Sequence, residues 1–349
     1  MANAFIRLNK MVLGSVRIGK TKHPLPNNMT FKLSLLFLLA VLSSACQSPK
    51  SSDSEVIEKS ITQEKPVMSF TFDDGITADL AGYQFEDWNE MILSQLDSNQ
   101  LKATFFIRGD NKLNKKGQFL LQSWNDRGHK LANHTFTHPY YNSDKNTAKV
   151  FAEELSKTDT IISKFDNKIN LFRFPYLKEG QNEAKVDSLR QILSENNYAN
   201  GYVTIDASDW YINQRLIARL KEVGQNQEEI QKFRDYYLDH ILDRAKYYEK
   251  LSYEINGRHI NHTLLLHHNL TSALFLGDLI QRFKTEGWDI IDAEKAYQDK
   301  VFKQIPEPKY AGESLIWSLA KESGNYKDSL RYPAEDSRYE KPAMDKLGL

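Results

Sequence analysis

From Val67 to Ile291 the chain alternates short runs of β-forming residues with longer stretches of helical periodicity. That alternation is the sequence form of successive βα units, and it confines the fold to helices packed around parallel strands. The strand-like runs are Val67 to Phe72, Ala103 to Ile107, Lys130 to Asn133, Leu171 to Phe174, Tyr202 to Ile205, Thr263 to Leu266 and Asp289 to Ile291. They predict an α/β fold, a distorted (β/α) barrel of about seven parallel strands, as a single domain over 66–304. The plainest helix runs from Glu228 to Leu251, where Ile230, Phe233, Tyr237, Ile241, Ala245, Tyr248 and Leu251 recur at spacings of three and four. Such a stripe is a face packed on the core. After Ile305 the chain turns polar and Pro-containing, and 305–349 reads as a C-terminal extension.

Ahead of the domain lies the one long apolar run, Phe31 to Leu42, followed by Ser43-Ser44-Ala45-Cys46. It is too short to span a bilayer as a helix, but it suits the apolar part of a signal peptide. The sequence 1–46 resembles a lipoprotein export signal in which Cys46 receives the lipid, and 47–65 reads as a polar tether. The basic segment with Lys32 follows Met29, which makes Met29 an alternative start. An exported lipoprotein of the bacterial envelope, held to the membrane at Cys46, is the expectation. Cys46 is the only cysteine, so intramolecular disulfides and Cys-rich zinc frameworks are excluded and any metal must sit on His and carboxylates. The 46 basic and 46 acidic residues cancel, so no global positive field attracts nucleic acid.

Polar residues collect where the strand-like runs end. The first run leads into Asp73-Asp74-Gly75, two adjacent carboxylates at the end of a strand where βα barrels assemble their sites. Asp-Gly is also ordinary turn chemistry. The third leads into His134-Thr135-Phe136-Thr137-His138, whose imidazoles at i and i+4 would share one face of a helical turn. One carboxylate and two imidazoles make a three-ligand zinc set with an open position for water, and a second carboxylate beside it can take a proton. Arg173-Phe174-Pro175-Tyr176, Asp206-Ala207-Ser208-Asp209-Trp210 and Leu264-Leu265-Leu266-His267-His268 end three further runs. Taken singly, Arg173 reads as a surface cation, Trp210 as a core anchor and His267 as a satisfied core histidine. Five polar sites at successive strand ends point instead to one active site.

In this order, TFDDG, HTFTH, RFPY, DASDW and LLH resemble the five motifs of the polysaccharide deacetylases of carbohydrate esterase family 4, the NodB-like fold, over about Pro66 to Lys300. The resemblance implies that Asp74, His134 and His138 hold one divalent metal ion, zinc above other transition metals, and that Asp73 is the general base. It implies an oxyanion met by the metal and the backbone N–H of Tyr176, His267 as general acid held by Asp209, and Arg173 positioning Asp73. Pro175, Tyr176, Trp210 and Leu265 would bind substrate, with Leu265 against the acetyl methyl. His268 stands where the family often has Asp, and His267 is assigned as the acid because it completes Leu-x-His from Leu265. The stretch 211–262 is longer than a minimal member needs and reads as a helical insertion.

The implied function is a metal-dependent hydrolase that removes acetyl groups, N-acetyl above O-acetyl, from a cell-envelope or extracellular polysaccharide. Two alternatives stand beside it: an amidase or esterase acting on a non-sugar acyl group, and a catalytically silent, lipid-anchored glycan-binding protein.

Overall fold

The computed structural model describes residues 65–331 and 337–349. The leader, Cys46 and the tether up to residue 64 lie outside the described residues. No helix among the described residues is long and apolar enough to cross a membrane.

The strands are β1 (Val67–Asp74), β2 (Thr104–Ile107), β3 (Lys130–Asn133), β4 (Lys168–Phe172), β5 (Ala199–Asn200), β6 (Asn261–His267) and β7 (Asp289–Ile290). The helices are α1 (Phe85–Ser98), α2 (Lys115–Asp126), α3 (Ala148–Ile162), α4 (Glu183–Glu195), α5 (Asp209–Val223), α6 (Gln227–Asn256), α7 (Leu270–Thr285), α8 (Ala293–Ala296), α9 (Leu315–Ser323) and α10 (Ser337–Leu347). Every strand pairing is parallel, in the order β5-β4-β3-β2-β1-β6, with β7 also on β1. β1 is buried on both faces, which is why its sequence is nearly continuous in apolar and small polar residues. The sheet curls until the segment after β5 meets the free edge of β6: the N–H groups of Thr204 and Ile205 donate to Thr263 O at 3.2 and 3.0 Å, and that of Leu265 to Ile205 O at 3.0 Å. The result is a distorted barrel ringed by helices, and all strands end at one mouth.

Two strand expectations shift. The fifth strand is Ala199–Asn200, and within Tyr202 to Ile205 only Ile205 forms a bridge, to Leu264. Gly201 is the cause. Its backbone passes so close to Phe106 that a Cβ there would lie 2.3 Å from the ring, and the chain bends away from β4 toward β6. The fourth strand starts earlier, at Lys168, and stops at Phe172, because the N–H of Arg173 makes one last bond to Asn133 O at 2.9 Å and Pro175 has no N–H to continue.

Helix α6 is longer at both ends than the Glu228 to Leu251 periodicity, capped by the Asn226 side chain and ended by Gly257 at φ 64°. It buries Phe233, Tyr237, Ile241, Leu242, Ala245, Tyr248 and Leu251. The C-terminal residues fold onto the barrel, with α9 against α6, α10 against α5, and Arg215 bonded to the Leu349 carbonyl.

Candidate active site

At the barrel mouth, Asp73, Asp74, His134, His138, Tyr140, Phe174, Tyr176, Leu177, Lys178, Asp206, Trp210, Leu265 and His267 line a cleft of about 490 Å³. Arg173 and Asp209 sit fully buried behind that wall. Pro175 is buried at the start of the 3₁₀ turn Pro175–Leu177 and does not line the cleft; the wall there is formed by Phe174 and Tyr176. Proline at this position presets the turn that carries Tyr176.

Asp73 ends the regular part of β1. Arg173 donates from Nη1 to Asp73 Oδ1 at 2.5 Å and to Thr71 Oγ1 at 3.0 Å, from Nε to Gly201 O at 3.0 Å and from Nη2 to Tyr297 Oη at 2.9 Å. Its guanidinium lies 3.7 Å from the centre of the Phe106 ring, so the cation is gripped on edge and face. Burial pushes Asp73 up to about 6 against the pull of Arg173 and His267, with the charge of Asp74 adding to the rise. Asp74 goes the other way. Burial opposes, but His267 first, then His134, His138 and Lys112 once the imidazoles charge in the acid range, hold its carboxyl below the usual range.

The His134 to His138 segment is a loop, not the helical turn expected from the i, i+4 spacing. Thr135 and His138 adopt φ of 65° and 59°, and Glu154 of α3 folds the loop by accepting the N–H groups of Phe136 and Thr137, at 3.0 and 2.5 Å, and the Thr137 hydroxyl at 3.0 Å. Both imidazoles thereby face Asp74, with Nε2 3.8 Å (His134) and 3.6 Å (His138) from Asp74 Oδ1. His134 Nδ1 lies 2.8 Å from Arg173 O; a carbonyl only accepts, so Nδ1 carries the hydrogen and Nε2 offers its lone pair to the cleft. Burial pushes both imidazoles down to about 4, which keeps them neutral.

These three side chains fit a divalent ion. Their ligand atoms lie within 4.8 Å of one another, and Asp74 Oδ1 is a buried carboxylate oxygen without a hydrogen-bond partner. A buried oxygen of that kind facing two neutral imidazole nitrogens suits a cation by the chemistry of its donors.

Across the cleft, His267 Nδ1 is 2.6 Å from Asp209 Oδ1, and Asp209 Oδ2 accepts the His267 N–H at 2.8 Å and the Asn269 amide at 3.0 Å. Burial would lower the imidazole, but Asp209 by charge and hydrogen bond, then Asp74 and Asp73, raise it to about 10. His267 is therefore a protonated imidazole with Nε2 free to act. The neighbouring His268 is a different object: fully buried, it packs its ring 4.4 Å from Trp88 and 5.2 Å from Phe105 and bonds Asn89 through Nε2 at 3.0 Å. Trp210 and Tyr176 stand exposed at 41% and 55%, and Tyr140, which the motif reading passes over, adds a third exposed ring 5.5 Å from Tyr176.

Sequence reasoning also misses Lys112, Glu154 and Tyr297. Lys112 is fully buried beneath the Asp74 turn and donates to the carbonyls of Asp74, Gly75 and Arg108 at 3.0, 2.8 and 3.0 Å. Nothing in the polar Asp110-Asn111-Lys112 turn marks it. Glu154 left a trace, since it interrupts the buried stripe of α3 at Phe151, Leu155 and Thr158.

Residues 60–199 match the family model for polysaccharide deacetylase. A peptidoglycan-N-acetylglucosamine deacetylase of Bacillus cereus is 29% identical over 151 residues, 42% of this chain and 47% of that protein, so the chain spans about half the length of the relative it matches. Among solved structures, a peptidoglycan deacetylase of Bacillus subtilis is 22% identical with a TM-score of 0.45, over 68% of this chain and 93% of its own. A carbohydrate esterase family 4 pseudoenzyme of Bacillus anthracis is 18% identical with a TM-score of 0.45, over 67% and 66%. At those scores neither structure assigns chemistry to this chain. The family match ends before Asp209 and His267; the fold returns His267 to the same cleft, with Asp209 bonded behind it.

Proposed function

We propose that this chain, whose residues 60–199 match the polysaccharide deacetylase family model, is a metal-dependent hydrolase that removes N-acetyl groups from a cell-envelope polysaccharide. The observation that carries the reading is the placement of an acid and a base on opposite sides of one metal-competent set: Asp73 held by Arg173 on one side, His267 held by Asp209 on the other. A divalent ion, zinc by the Asp-His-His donor set, would be held by Asp74, His134 and His138, and when bound it supplies Lewis acidity toward water and the acyl oxygen.

The chain's own residues account for the proton traffic. Asp73 accepts a proton from the attacking water, whose oxygen bonds to the acetamide carbon. Arg173 fixes the carboxylate so that its second oxygen faces the cleft. The backbone N–H of Tyr176 meets the developing oxyanion. His267 donates its proton from Nε2 to the amide nitrogen, so the C–N bond breaks to acetic acid, which ionises to acetate, and a free amine; the proton on Asp73 then passes to solvent and His267 is recharged. Leu265 faces the acetyl methyl, and the rings of Tyr176 and Trp210 offer apolar faces to a pyranose. The Bacillus cereus relative, named for peptidoglycan N-acetylglucosamine, supports an amino-sugar substrate. Export and anchoring at Cys46, which would place the site on the envelope, belong to the same proposal.

The test is acetate release from peptidoglycan, chitin oligomers, poly-N-acetylglucosamine and acetylated xylan, with added zinc, with chelator and with Asp73→Asn. Release from one amino-sugar polymer that disappears in both controls is the expected result. Release that survives chelation or the Asn substitution overturns the mechanism, and release from small amides alone moves the substrate away from glycans.

A further inference from the structure

The turn that delivers Asp209 and Trp210 is held from outside the family-matched stretch. Ser208 adopts φ 48°, ψ 34°, a left-handed conformation disfavoured for a residue with a Cβ, and its buried hydroxyl has no hydrogen-bond partner to compensate. Ala207, Ser208 and Asp209 are all fully buried, so water cannot steady the turn. The contact that does so comes from α6: His240 Nε2 lies 2.8 Å from Ala207 O. Since a carbonyl only accepts, Nε2 carries the hydrogen and donates it. Tyr236, one helical turn back, stacks on the imidazole with planes 9° apart, and Glu340 of α10, fully buried, places Oε1 3.4 Å from the same nitrogen.

We infer that His240 is a positioning residue for the Asp209–His267 pair: its bond to the Ala207 carbonyl holds the left-handed turn at Ser208, aims Asp209 at His267 and sets Trp210 at the cleft. This gives the helical insertion and the C-terminal helix a shared role, that of backing the acid side of the site. The inference rests on the reading of His267 as proton donor only where turnover is measured.

The experiment compares His240→Leu, which removes the donor, with His240→Gln, whose amide can restore it, using acetate release and fluorine NMR of the full chain labelled with 5-fluorotryptophan. The chain has five tryptophans, and Trp210→Phe identifies the Trp210 signal. His240→Leu is expected to lower kcat by about 10-fold to 100-fold, the scale of a displaced catalytic group, with a smaller rise in KM because Trp210 moves with the turn. It should also shift or broaden the Trp210 resonance alone, and His240→Gln should bring both back to within about 3-fold and to the original signal. An unmoved Trp210 signal with unchanged kcat overturns the inference, and so does a collapse of all five signals, because His240 then supports the whole fold and not the turn. If the unsubstituted chain releases no acetate, the proposed function fails while the Trp210 signal still decides this point.

Discussion

His129 gives a sharp test of the structure that is independent of catalysis. It is fully buried, its Nδ1 accepts the Ala103 N–H at 3.1 Å, and its ring packs 5.0 Å from that of Trp124. An Nδ1 that accepts is unprotonated, so the folded protein holds this imidazole neutral with its hydrogen on Nε2, an atom with no hydrogen-bond partner of its own. Burial, reinforced by Lys102, pushes it down to about 3. The unfolded chain takes up the proton near pH 6.5, so between about 6.5 and 3 it binds more protons than the folded chain and stability falls as pH falls. The slope is about 1.4 kcal/mol per pH unit, which accumulates to about 2 kcal/mol at pH 5. The perturbation is His129→Asn, which keeps an acceptor for Ala103 but has nothing to titrate. Urea unfolding of both proteins at about pH 8 and about pH 5, with chelator present, separates any packing loss, common to both pH values, from the proton-linked loss. The unsubstituted protein should lose about 2 kcal/mol more than the variant between the two conditions. Equal losses in the two proteins would refute the argument.

Arg173→Lys should lower kcat/KM by about 100-fold or more and depress the melting temperature, because an ammonium cannot meet Asp73, Thr71, Gly201 O and Tyr297 together and a broken buried pair costs about 3–5 kcal/mol; steady-state acetate release and a thermal melt check both. The two adjacent histidines should separate cleanly. His267→Asn loses about 100-fold or more in kcat while melting near the original temperature, whereas His268→Asn melts lower because it opens the aromatic stack with Trp88 and Phe105. His138→Ala should drop bound zinc from about one per chain to under about a tenth by elemental analysis, while Asp73→Asn retains it, since only the first removes a ligand atom.

The strands were legible because parallel strands buried on both faces must be written in continuous β-forming residues, as β1 and β6 are. The long helix was legible because six of its buried apolar side chains, Phe233, Tyr237, Ile241, Ala245, Tyr248 and Leu251, keep a strict three-four spacing. What failed was local backbone shape. The spacing of His134 and His138 fits a helical turn as well as it fits the loop that Glu154 builds, and only a contact with a residue of another element decides between them. Gly201 could not announce that Phe106 lies against it, so the fifth strand was placed after the bend and not before it. The residues that brace the site were illegible for the same reason. Lys112, Tyr297, His240 and Glu340 sit in unremarkable local sequence, and each acquires its role from a partner far away in the chain.

The backbone strain shows how two adjacent carboxylates come to serve one site. In a regular strand successive side chains point to opposite faces, so Asp73 and Asp74 could not both face the cleft if β1 continued. At Asp74 φ reaches 74° and at Gly75 86°, which ends the alternation and turns the second carboxylate toward the imidazoles. The pattern repeats around the mouth. Of the nine non-glycine residues with positive φ among the described residues, six (Asp74, Thr135, His138, Tyr176, Leu177 and Ser208) lie in the loops that shape the cleft. Each such residue costs on the order of 1–3 kcal/mol and persists only where its surroundings over-determine it. Three of these loops have an identifiable brace that bonds their backbone: Lys112 under Asp74 and Gly75, Glu154 under the His134 to His138 loop, and His240 at Ala207, next to Ser208. Each brace stands on a segment other than the loop it holds, and so packing outside these loops is converted into the placement of Asp74, of the two imidazoles and of the Asp209 turn.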